Sequence, residues 1–149
     1  MISKLLNHFK SKTSDSVVHS EHDIRLAAAS LLIEVAKADH ELSSDEENSL
    51  ISVLENMYDL EPTEKQSLIS LAKEKSAEAT SLYEYTSVIN EHFSAQDKFQ
   101  LIINMWKIAY SDKQIDRFEE HLIRRVSDLI YVPHVQFIEA RHIASNGTL

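Results

Sequence analysis

Carboxylates recur at matched spacing in two stretches 73 residues apart, and oxygen-rich clusters of that kind suit a hard cation or a basic protein surface. Ala36, Asp39, Leu42, Ser43, Glu46 and Glu47 align with Ala109, Asp112, Ile115, Asp116, Glu119 and Glu120, and the apolar Leu50 and Ile123 continue the register. The repeat is an acidic helix–turn–helix element used twice. If the two hairpins pack antiparallel, Asp39, Glu46, Asp112 and Glu119 meet on one side of a bundle. These four are the candidate ligands of a divalent cation, Ca²⁺ or Mg²⁺. The spacing is not that of an EF-hand. Counting from Asp39, the positions where that loop requires Gly and Glu hold Ser44 and Leu50, and in the second copy Arg117 and Ile123.

Half of the pattern has a purely structural explanation. Ser43 precedes Glu46, and Asp116 precedes Glu119, by the three residues of a capping box, in which cap side chain and acid satisfy helix-start amides reciprocally. Acids in a first turn are also favoured by the helix dipole, by about 0.3–1 kcal/mol each. Asp39 and Asp112 are different. Each falls where the preceding helix ends, so its charge opposes the dipole there, and its recurrence marks a place where a carboxylate is wanted.

The elements that position these acids are helices. One Gly and two Pro are too few for the turns of an all-β fold, and no stretch sustains strand-like alternation. Ser20 precedes a helix with Ile24, Ala27, Ala28, Leu31, Leu32 and Val35 on one face, running to about Ala38. Ser43 or Ser44 opens a second, with Leu50, Ile51, Leu54 and Met57 inward. Pro62-Thr63, with Gln66 placed for a capping box, starts a third carrying Leu68, Leu71 and Ala72. Ser81 with Glu84 starts a fourth, carrying Leu82, Tyr85, Val88 and Ile89. Ser94 opens a fifth, whose Phe99, Ile102, Ile103, Trp106 and Ala109 have the spacing of a deep core face. Asp116 starts a sixth with Phe118, Leu122, Val126 and Leu129 on its apolar stripe. Pro133 suits the first turn of a last helix with Val135, Phe137 and Ile138. The expected fold is an all-α single-domain bundle of about seven helices, built from two related hairpins over residues 20–145, with a tail at 146–149.

Residues 1–10 stand apart. Ile2, Leu5, Leu6 and Phe9 fall at i, i+3, i+4 and i+7, a short amphipathic helix, and residues 11–19 are a polar, Ser-rich linker. Either this helix packs on the body or it docks on a partner groove or membrane surface, where ten residues give only weak peripheral contact.

Composition excludes several functions. No Cys means no disulfide and no thiolate chemistry, and the single glycine at 147 leaves no phosphate-binding loop. Residues 1–14 hold three lysines and no acid, so the rest of the chain is more acidic than the overall net charge of −9. Such a body repels phosphate backbones, which argues against nucleic acid and for cations or basic surfaces. No apolar run reaches the ~18 residues of a membrane span, and the first residues lack a signal peptide's features, so the expected location is cytoplasmic. Glu139 and His142 have the Glu-x-x-His spacing of di-iron bundles, but the second pair that chemistry needs is missing.

A helix ending in Ala-x-Ala-Asp39, a short turn, an aliphatic residue, then Ser43 and Glu46 at the next helix start, resembles the tellurite-resistance TerB family. Similar domains precede the J-domain of membrane-anchored DnaJ-like co-chaperones. The resemblance covers roughly residues 20–145, and the duplicated acids match the family's two related halves. It implies an all-helical, mainly cytoplasmic module without enzymatic activity. It further implies links to tellurite and other stress responses, to metal binding through acids, and to complexes at the inner membrane face. On that analogy Asp39, Glu46, Asp112 and Glu119 occupy the family's acidic positions. Where the family commonly has Gly after the Asp, His40 and Lys113 stand here.

Overall fold

The computed structural model describes residues 20–37, 44–78, 82–112, 115 and 117–148; the amphipathic stretch 1–10 and linker 11–19 lie outside the described residues. Seven α-helices follow in order: α1 (Glu21–Ala36), α2 (Ser44–Met57), α3 (Pro62–Glu78), α4 (Tyr83–His92), α5 (Ala95–Ala109), α6 (Arg117–Leu129) and α7 (His134–Thr148). A single 3₁₀ turn, Tyr110–Asp112, extends α5. Among the described residues there is no strand. The last helix continues to Thr148, into the stretch expected as a tail.

Helix starts follow the capping chemistry where serine is available. Ser20 and Ser94 each accept from the backbone N–H three residues on, at 3.1 Å, and Asp23 and Asp97 reach back to the cap amides at 3.2 and 3.3 Å. Two starts differ from expectation. In α3 the reciprocal bond comes from Glu64, which accepts from the Glu61 N–H at 2.9 Å; Pro62 is already the first helical residue, so Thr63 and Gln66 lie inside the helix. In α4 Leu82 holds the cap position and offers no side-chain bond, while Ser81 lies outside the described residues. At the far end of α6 the chain closes a Schellman motif. Val132 N–H donates to Ser127 O, Tyr131 N–H donates to Asp128 O, and Tyr131 takes the left-handed position at φ 64° that glycine usually fills.

Packing repeats as well. Helix α1 packs chiefly against α3, and α5 packs chiefly against α7, while α2 and α6 each lie beside both helices of their own unit. The duplicated unit is therefore three helices long, α1–α2–α3 and α5–α6–α7, with α4 bridging them. The core fills the space between: Leu31, Leu32, Ile33 and Val35 from α1, Leu50 and Leu54 from α2, and Leu101, Ile102, Met105 and Trp106 from α5 are all fully buried. Both leading helices are buried on more than the one face their periodicity showed. Ala29, Ser30, Ile33 and Ala36 are as enclosed as the expected stripe, because α1 touches α2, α3, α4, α5 and α6.

Four expected core residues lie elsewhere. Phe99 is only half-buried, near the open start of α5. Phe118, Val135 and Ile138 are exposed, because among the described residues α6 and α7 each have one side covered and no helix over the other. Phe137 alone of the last helix's expected trio is buried, with its ring 5.4 Å from that of Trp106. Phe137→Ala is expected to destabilise the fold by about 3–5 kcal/mol. Val135→Ala, two residues away, should stay within about 0.5 kcal/mol. Urea unfolding of the two variants checks the assignment.

Candidate functional site

The two acidic elements occupy equivalent places. Ala36 and Ala109 are the last residues of α1 and α5, both without exposed surface, and Glu46 and Glu119 are the third residues of α2 and α6. Each glutamate is drawn inside: Glu46 is 4% exposed and Glu119 1%. Their neighbours Asp45 and Arg117 are exposed, so burial belongs to this one register position. Asp112 closes the 3₁₀ turn, but its side chain, like the whole of Asp39, lies outside what the structure describes.

The backbone brings the two corners to one end of the bundle. The hydroxyl of Tyr58 feels the charges of both Glu21, at the start of α1, and Asp97, near the start of α5. These two packed helices thus start together and run in the same direction, about 24 and 22 Å at 1.5 Å per residue. Their C-terminal ends, where the acidic turns begin, share the opposite end. The 3₁₀ turn of the second copy packs against α2, which carries Glu46 of the first.

The described donors alone do not make a cation site. Among the described residues no three His, Cys, Asp or Glu side chains gather closely enough to hold a metal. Glu46 and Glu119 are two of the four expected ligands; the other two, Asp39 and the Asp112 side chain, lie outside the described residues.

The family model described as tellurite resistance protein TerB matches residues 25–142. The chain belongs to the TerB family. The match begins inside α1 and ends inside α7, so both copies of the three-helix unit belong to the TerB domain. No curated protein and no solved structure matches the chain. No helix among the described residues of this TerB domain is long and apolar enough to cross a membrane.

One group at the opposite end escaped sequence reasoning. Burial raises the Tyr58 hydroxyl to about pKa 12; the Arg25 guanidinium, 4.9 Å from the ring centre, acts against this, and Asp97 and Glu21 act with it. Nothing in the local pattern around Met57-Tyr58-Asp59 distinguishes it, since the effect comes from α1 and α5.

Two predictions follow from this geometry. Glu46→Ala and Glu119→Ala should each cost about 1–3 kcal/mol, the penalty for removing a buried hydrogen-bonding group. The exposed Glu139→Ala should change stability by less than about 0.5 kcal/mol in the same denaturant series. For Tyr58, the folded pKa lies above the unfolded value of 10.0, so its contribution is complete below pH 10 and is lost as pH rises towards 12. Tyr58→Phe should remove that alkaline component of the stability–pH curve and a phenolate absorbance step near pH 12.

Proposed function

We propose that this TerB domain is a non-enzymatic stress-response module of the tellurite-resistance type, whose paired acidic corners bind a divalent cation, Ca²⁺ or Mg²⁺, or a basic partner surface. The observation that carries this reading is the equivalence of the two corners. In both copies a glutamate at the third helical position is buried and the turn ahead of it carries an aspartate, and both turns leave the same end of the bundle. Buried Glu46 and Glu119 act as struts that hold each turn in shape. That leaves Asp39 and Asp112 as the charges available to a ligand. Two carboxylates from separate elements suit a hard cation that keeps several waters, as Mg²⁺ does, or a lysine or arginine from a partner. The acidity of the body raises the local concentration of either.

A second reading rests on the same burial. If Glu46 and Glu119 serve only their own helix starts, the module is a metal-free helical interaction domain and its acids are caps. Residues 1–10 then provide the contact with a partner or a membrane-associated complex, and the cytoplasmic face of a membrane is where such a peripheral module works.

Titration calorimetry with Ca²⁺, Mg²⁺, Mn²⁺ and Zn²⁺ separates the readings. The cation reading expects heat from the intact chain and none from the Asp39→Asn/Asp112→Asn double variant. Equal heat from both proteins, or none from either, removes it and leaves the metal-free domain.

A further inference from the structure

The charge on this molecule is segregated. Residues 117–149 hold four arginines and four acids, so the whole net charge of −9 belongs to residues 1–116. Of the four acids, Glu119 is buried and Glu120 faces Arg141 at 3.6 Å. The arginines lie at the surface. Arg117, His121 and Arg124 fall at i, i+4 and i+7 on α6, one row spanning about 10 Å, and line a single open cleft of about 390 Å³ with Ile115 and Glu120.

Helix α7 lies alongside α6. It runs antiparallel to α6: Arg124 lies 5.9 Å from the Phe137 ring, and Glu120 pairs with Arg141 one turn further along. His134 stacks on Phe137 at 5.6 Å. Ile138 is four residues after His134 and three before Arg141, so the three form a row along α7. Ile138 is 49% exposed, and Val135 beside it is 73% exposed. Among the described residues neither Arg117 nor Arg124 has an ion-pair partner. The result is a cationic trough with an aliphatic margin, on a protein that is otherwise acidic.

We infer that the cleft along α6, with the neighbouring exposed face of α7, is a docking surface for an acidic amphipathic helix of a protein partner. Carboxylates at i, i+4 and i+7 on such a helix match the row Arg117–His121–Arg124, and its apolar stripe covers Ile138 and Val135. Arginine forks suit carboxylates in two-pronged geometry. Two other anionic occupants fit less well. A bilayer meets a broad face, and the acidic remainder of the body is repelled by anionic lipid, whereas a helix touches the trough alone. A lone phosphate fills only a small part of the cleft and leaves the aliphatic margin uncovered. The cleft adjoins the second acidic corner, since Ile115 and Glu120 belong to the repeated element, but its arginines call for a ligand of the opposite sign to the one proposed there.

The test uses the full chain and a fluorescent synthetic helix of about four turns, with glutamates at i, i+4 and i+7 and leucines on the adjoining stripe. Anisotropy is expected to show binding that weakens with salt and is absent when lysines replace the glutamates. Arg117→Glu/Arg124→Glu and Ile138→Asp should each weaken it by about tenfold or more. Glu120→Gln, which removes the one carboxylate among the described residues of the cleft, should strengthen it by about two- to threefold, a gain that misfolding does not mimic. Lack of binding by the glutamate helix overturns the inference, as does binding indifferent to the Arg117/Arg124 pair. Arginine-dependent binding to phosphatidylglycerol vesicles that exceeds binding to the peptide, or complete displacement of the peptide by millimolar inorganic phosphate at constant ionic strength, overturns it in favour of lipid or of a small anion.

Discussion

Helices α1 and α5 are enclosed on nearly every side, and the other elements are placed by the need to cover them. Ala27, Ala28, Ala29 and Ala36 on α1, with Ala109 at the end of α5, let neighbouring backbones come close, while Leu31, Leu32, Ile102 and Trp106 fill the space around them. A helix buried all round cannot bury itself with one partner, so each leading helix recruits the two that follow it. The same solution is used twice along the chain, and α4 closes the gap between the copies. Because α1 and α5 begin together and run together, the turns that follow them have to leave from one end.

That constraint gives the acids two kinds of role. Glu46 and Glu119 sit where the chain re-enters the bundle, and a carboxylate there is useful only if it is turned inward onto the helix start. Asp39 and Asp112 sit where the chain leaves, where the dipole of the outgoing helix disfavours them. The repetition of this carboxylate in both copies of a TerB domain is the ground of the ligand role proposed for these two residues. The basic cleft on α6 begins beside the second of these corners, at Ile115 and Arg117.

Much of this was legible in the residues. The helical period, the serine caps and the scarcity of glycine and proline give seven helices with starts within a residue or two of those observed. The duplicated acids also locate both copies of the unit. What the pattern could not reveal was depth. Val135 and Ile138 have the same spacing as any core stripe, yet no helix among the described residues covers that side of α7. Phe118 misleads for the same reason. Conversely Ser30 and Asn104 read as polar-face residues yet are buried, because α1 and α5 have no solvent face along their middle turns. The three-helix length of the repeat was hidden because α3 and α7 share packing but little sequence. The trough was missed because its arginines and histidines are spread over two helices that only the fold makes neighbours.

The account turns on whether the two acidic corners stand together. The chain has no cysteine, so spin labels can be placed at His40→Cys and Lys113→Cys without background, and the distance between them measured by electron dipolar spectroscopy. Neighbouring helices are about 8–10 Å apart, and with the label arms the expected separation is about 15–25 Å, narrowing if a shared ligand is bound. A separation beyond about 35 Å, the length of α1 plus the labels, would put the corners at opposite ends and contradict a joint site.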